Sequence, residues 1–169
     1  DASMSDLYGQ KVDSILLLVE QKYERLQKTG LVDAYRESFM EGTIEVLKKT
    51  QYTEGMEIYP YVLNREKKLL MHPFFAPDDP RVRGNPTLDR MLAMGEGEFL
   101  FQFEGIGRWV IFKTFEPWGW IIGYVVPEPV KYRGLYEYRD YSISLMLVVL
   151  AVCALFLVAA VSYVLKPVS

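Results

Sequence analysis

From Ile143 to Leu165 the chain carries no charged residue. A bilayer core takes a helix of about 20 apolar residues. Leu, Ile, Val and Phe each favour insertion by roughly 0.3 to 0.6 kcal/mol at the helix centre. A buried helix of a globular domain normally keeps a polar stripe, and this run has none. Residues 143–165 are therefore expected to form a transmembrane helix. What precedes it, about 140 of the 169 residues, is enough for one domain with its own core. The opening Asp1-Ala2-Ser3-Met4 has neither a charged n-region nor an apolar h-region. An export signal or earlier span is thus expected upstream.

Composition narrows the chemistry. A formal charge of -3 argues against nucleic acid as a partner. The single cysteine, Cys153, falls inside the apolar run, so the outer part has no disulfide framework. One histidine, His72, and no outer cysteine argue against a zinc site. No GxSxG, P-loop or HExxH motif occurs, and no nucleophile–base set can be assembled. No catalytic residue, metal or cofactor is expected.

Residues 5–28 read as one long helix, with Leu7, Val12, Ile15, Leu16, Val19, Tyr23 and Leu26 at helical spacings and Gly30 at the stop. A second helix is expected over 31–49, burying Tyr35, Phe39, Ile44 and Leu47. The period then changes. Residues 57–63 are rich in aromatic and β-branched side chains, Asn64-Arg65-Glu66 reads as a turn, and 67–72 as the return strand. Pro60 points to an edge position or a bulge. Residues 73–86 hold four prolines and read as an ordered loop. A short helix over 87–94 follows, then strands at 98–104, 108–115 and 118–126 around a Gly105-Ile106-Gly107 turn. Residues 130–141 are expected to be helical. Five strands joined by tight turns predict an antiparallel sheet with helices on one side, an α+β domain. The expected organisation is N-terminal helices at 1–50, sheet and loop at 51–130, a juxtamembrane helix at 131–142, the span at 143–165 and a linker start at 166–169.

Several runs carry a resemblance. They are Leu70-Met71-His72-Pro73, Arg83-Gly84-Asn85, Gly95 and Gly97 before an aromatic strand, and above all Lys113-Thr114-Phe115-Glu116-Pro117-Trp118-Gly119-Trp120-Ile121-Ile122-Gly123. In these the chain resembles the single Cache domain, the PAS-like extracytoplasmic sensor of bacterial transmembrane receptors, over about residues 5–130. Lys166-Pro167-Val168 resembles the start of a HAMP linker. The resemblance implies a long N-terminal helix, a PAS-like five-stranded antiparallel sheet and a C-terminal span, and the seven-like spacing of the first helix is expected to pair it with its copy in a homodimer. It implies a chain held in the bacterial inner membrane, with residues 1–140 periplasmic or extracellular. Two departures stand out. The stretch Leu88–Met94 lacks the family's Asp-x-x-Gly, and Ile111 stands where tyrosine is common.

Strand alternation puts Trp109, Ile111, Lys113 and Phe115 on one face. An ammonium among aromatics is costly unless it meets an anion or a polar partner, and a bound carboxylate would supply one. The alternative is a lysine snorkelling to solvent, and the resemblance favours the ligand. Tyr59 and Tyr61 can orient a small polar ligand, or be ordinary half-buried tyrosines. Phe101 and Phe103 can wall a pocket or belong to an aromatic core. His72 can donate to a ligand or bond the backbone at a strand end. Arg83 and Asn85 lie on the covering loop and can hold an anion or fix the loop. The tyrosines of 131–141 suit a membrane interface. The expected function is sensing of a small molecule, a carboxylate or similar polar metabolite. A signal would pass through the span when the final strand shifts. The output would be of the histidine kinase, chemoreceptor or diguanylate cyclase kind. The alternative is an anchored domain that binds a partner protein.

Overall fold

The computed structural model describes the backbone of residues 2–131 and 133–164, and the side chains of 4–130, 141–155, 157 and 158. Residues 1–128 form one compact unit and 129–169 a second.

Helix α1 (Ala2–Lys28) buries Tyr8, Val12, Ile15, Val19 and Leu26. These recur every three, four or seven residues and so share one face. The helix ends where Gly30 turns into the left-handed region at φ 68°. The Thr29 hydroxyl donates to Leu26 O and accepts from Leu31 N–H. Helix α2 (Val32–Gln51) returns along α1. It buries Thr43, Ile44 and Leu47, all in its C-terminal half. Tyr35, expected in the buried stripe, is exposed.

Strands β1 (Pro60–Asn64), β2 (Leu69–Met71), β3 (Gly97–Phe103), β4 (Ile106–Phe115) and β5 (Trp120–Pro127) form one antiparallel sheet in the order β2-β1-β5-β4-β3. The α+β class and the five antiparallel strands agree with the sequence reading. Pro60 is the first residue of β1, a position that needs no donor. The bulge lies instead in β2, where Leu70 is the extra residue opposite the step from Val62 to Leu63. One extra residue there flips the side chains that follow. Met71 pairs with Val62 while Leu69 pairs with Leu63, on opposite faces.

Helix α1 and the end of α2 cover one face of the sheet. The other face is covered by residues 72–95. The expected loop contains a one-turn helix, α3 (Pro80–Arg83), whose N-cap Asp79 accepts from Arg81 N–H. Helix α4 (Pro86–Met94) starts at Asn85, whose side chain accepts from Thr87 N–H, and buries Leu88 and Met91. These join Tyr61, Leu63, Leu69, Phe99, Val110, Phe112 and Ile121 in a second core.

A short helix, α5 (Glu128–Lys131), precedes α6 (Arg133–Val164). The backbone of the expected membrane segment is thus helical to Val164. Among the described residues, no helix is long and apolar enough to cross a membrane. The side chains of 156 and 159–164, and all of the expected linker at 166–169, lie outside the described residues. Of the tyrosines in 131–141, Tyr141 has a described side chain, and it is exposed.

Candidate ligand-binding site

Between the sheet and residues 72–95 lies a cavity of about 80 Å³. Strand β1 and the residue before it contribute Tyr59, Tyr61 and Leu63. Leu69 and His72 come from β2 and its exit. Phe101 and Phe103 come from β3, Arg108 and Val110 from β4, and Val125 from β5. The cover supplies Phe75, Val82, Asn85, Thr87, Leu88 and Met91. The floor is aliphatic, and the polar groups sit on the β1, β2 and β4 walls and at the start of α4.

Six of the expected residues meet there: Tyr59, Tyr61, His72, Asn85, Phe101 and Phe103. Three do not. Lys113 Nζ lies 2.6 Å from Asp13 Oδ1 on α1. Trp109 is buried against Tyr8, with ring centroids 6.3 Å apart. Both belong to the helix-covered face. Arg83, at the exposed end of α3, is 3.8 Å from Asp78. The sequence reading put the right residues of β4 on one face and assigned that face to the wrong side.

The cation that does reach the cavity is Arg108. The β3–β4 turn is the two residues Glu104 and Gly105, with φ 51° and 76°. Positive φ at both is the primed turn favoured in two-residue hairpins. That turn pairs Phe103 with Ile106, Phe101 with Arg108 and Phe99 with Val110. Cross-strand partners share a face, so Arg108 stands on the side of the phenylalanine stripe. The guanidinium lies 5.3 Å from the Phe103 ring centroid. Arg108 Nε is buried without a hydrogen-bond partner, and Arg108 forms no ion pair among the described residues. The signal in the sequence was the Glu-Gly pair. Placing the turn at 105–107 shifts the register and hides Arg108.

His72 has a fixed tautomer. Its Nδ1 accepts from Phe74 N–H at 3.1 Å and Phe75 N–H at 3.0 Å. The proton of the neutral ring is therefore on Nε2. Burial, helped by the nearby Arg108 charge and opposed by Asp79, pulls its pKa down to about 4. The ring stacks on Phe75 at 4.6 Å and meets Tyr59 edge-on at 5.0 Å. Burial raises the Tyr59 phenol pKa, and Arg108 partly offsets this. Tyr61 is fully buried, its pKa raised by burial, with its hydroxyl 3.9 Å from Met91 Sδ. At the rim, Arg81 bonds Asp79 through Nε and Nη2 and reaches Glu104 at 3.3 Å. Its guanidinium covers Phe75 at 4.8 Å. This links α3 to the β3–β4 turn across the mouth.

A largely apolar cavity with a few convergent donors and one cation, Arg108, that has no ion pair among the described residues can hold a small anion with an apolar body. No protein-family model matches the chain, and no curated protein does. Among solved structures, the chain is similar to a periplasmic sensor domain of a chemotaxis protein. The TM-score is 0.58 at 17% identity, over 75% of this chain and 96% of that one. It is also similar to a Cache chemosensory domain described for carboxylic acid recognition. There the TM-score is 0.57 at 16% identity, over 75% of this chain and 95% of that one. The chain shares the fold of these Cache-type sensor domains. Both of these neighbours are sensor domains.

Proposed function

We propose that the chain senses a small anion, a carboxylate or similar polar metabolite, outside the cell membrane and belongs to a bacterial transmembrane receptor. The observation that carries this is Arg108, a half-buried arginine whose Nε is buried without a hydrogen-bond partner and which has no ion pair among the described residues, on the wall of the cavity. A guanidinium gains most from a carboxylate that accepts from two of its N–H groups. His72 Nε2–H and the Tyr59 hydroxyl stand on the neighbouring walls as further donors. The uncharged run 143–165 supports a single anchoring span. A signal then arises because a ligand that fits the cavity favours one state of the cover over another.

The test is a thermal-shift panel on the full chain in detergent, with small mono- and dicarboxylates, amino acids, amines and urea. At 100 times its dissociation constant a ligand adds about 2.7 kcal/mol of stability. The expected result is stabilisation by a carboxylate that vanishes in Arg108→Gln, with the variant melting as the parent does without ligand. Failure of every anion on a natively melting chain would overturn the proposal and favour a protein partner.

A further inference from the structure

Residues 73–77, Pro-Phe-Phe-Ala-Pro, carry the chain from β2 into the cover. Pro73 and Pro77 have no N–H, so this strap owns three backbone donors. Two of the three end on one atom. Phe74 N–H and Phe75 N–H both donate to His72 Nδ1, at 3.1 and 3.0 Å. At its far end the strap is tied by Leu69 N–H to Pro77 O at 3.0 Å. The Phe75 ring lies on the imidazole at 4.6 Å and meets Phe103 of β3 at 5.8 Å, as part of the cavity lining. Phe74 is exposed and meets Tyr59 edge-on at 5.1 Å.

A single ring nitrogen thus holds both amides. An imidazolium has two N–H donors and no acceptor. A proton on Nδ1 would face two N–H groups, and both would lose their partner. Of the charged and titratable groups around the ring, Arg108 on β4 opposes that proton. Asp79, ahead of α3, favours it but is held by Arg81 through Nε and Nη2. Glu104 of the β3–β4 turn is held by Arg81 as well. Tyr59, ahead of β1, has its phenol pKa raised by burial and stays neutral. The closed strap therefore keeps the ring neutral, and by linkage a proton favours the open strap.

We propose that His72 is an acid-operated latch: a proton on Nδ1 releases residues 73–77, moves Phe75 off the cavity wall and lets acid alone change the state of the cover. The device needs no ligand and stands whether or not the cavity takes an anion.

Amide hydrogen exchange of the full chain in detergent, corrected for intrinsic rates, tests it between about pH 7 and about pH 4.5. The ring has a pKa of about 4 with the strap closed and of about 6.5 when free. Protection of the Phe74 and Phe75 amides should fall by about fiftyfold over that interval, while β5 stays the better protected. Asn carries its Oδ1 as many bonds from Cα as the Nδ1 of His and cannot take the proton. In His72→Asn the two amides should keep their protection at both ends of the range. Arg108→Gln removes the opposing charge, so there the fall should begin at higher pH. This second variant guards against an Asn that fails to bond the strap. Strap protection that does not change with pH would overturn the latch. So would an equal fall in His72→Asn, or strap and β5 amides equally protected at every pH, which would mean that the domain opens as a whole. None of these outcomes bears on anion binding, which the thermal-shift panel reads.

Discussion

Lys113 and Asp13, a hundred residues apart in sequence, meet at 2.6 Å and join the sheet to α1. The pair sits on the helix-covered face, away from the cavity. Both side chains keep solvent contact, 35% and 55% exposed, so the bond resembles a surface ion pair.

Such pairs contribute between nothing and about 1 kcal/mol. Lys113→Ala should therefore cost at most about 1 kcal/mol in urea denaturation and leave carboxylate affinity unchanged in calorimetry. A loss of binding as severe as in Arg108→Gln would return the anchor role to Lys113.

Gly123 sits in β5, between Tyr61 of β1 and Phe112 of β4. A Cβ there would run into the Ile111 carbonyl oxygen and lie 2.7 Å from the Tyr61 hydroxyl. The backbone oxygen cannot swing aside. Gly123→Ala should destabilise the domain by about 1 to 3 kcal/mol, read as a lower urea midpoint with unchanged m-value.

His72 carries a pH dependence of known sign. Its pKa is about 4 in the fold and about 6.5 in an unfolded chain. Between those values the unfolded chain binds more protons, so stability falls as pH falls. Protonation would also remove the acceptor that holds Phe74 and Phe75 N–H. The melting temperature should decline from about pH 6.5 to about pH 4. His72→Asn keeps a side-chain acceptor for that turn and should flatten the decline over this interval. An equally steep decline in the variant would assign it to carboxylates.

Arg81 spans the mouth between Asp79 and Glu104 and lies over Phe75. Arg81→Ala should raise amide hydrogen exchange in residues 79–84 and 103–106, while β5 keeps its protection. Uniform loss of protection would show that the link holds the whole domain rather than its rim.

Element types were readable because their periods differ. The three- and four-residue spacing of Val12, Ile15 and Val19 cannot serve a strand, and the alternation of Phe99, Phe101 and Phe103 cannot serve a helix. Which face of the sheet becomes the site was not readable from period alone. It turns on two single-residue events: where the β3–β4 turn is cut, and where β2 bulges. The first decides between Arg108 and Lys113. The second aims His72 to the same side as Leu69. A strand pattern is unchanged when its faces are exchanged, so only the pairing register resolves it. His72 and Asn85 also show that structural and ligand-facing roles coexist. Each caps a local turn with one atom and lines the cavity as well.

Strand β5 is the last of the five in sequence and the middle one in space. It is laddered to β1 from Pro60–Tyr124 to Asn64–Trp120, and to β4 from Arg108–Pro127 to Phe115–Trp120. A strand clamped on both edges cannot slip lengthwise without breaking two ladders at once. Any displacement leaving the domain through Pro127 must therefore travel as a tilt or twist of the entire sheet. The mechanical unit is a plate rather than a rod.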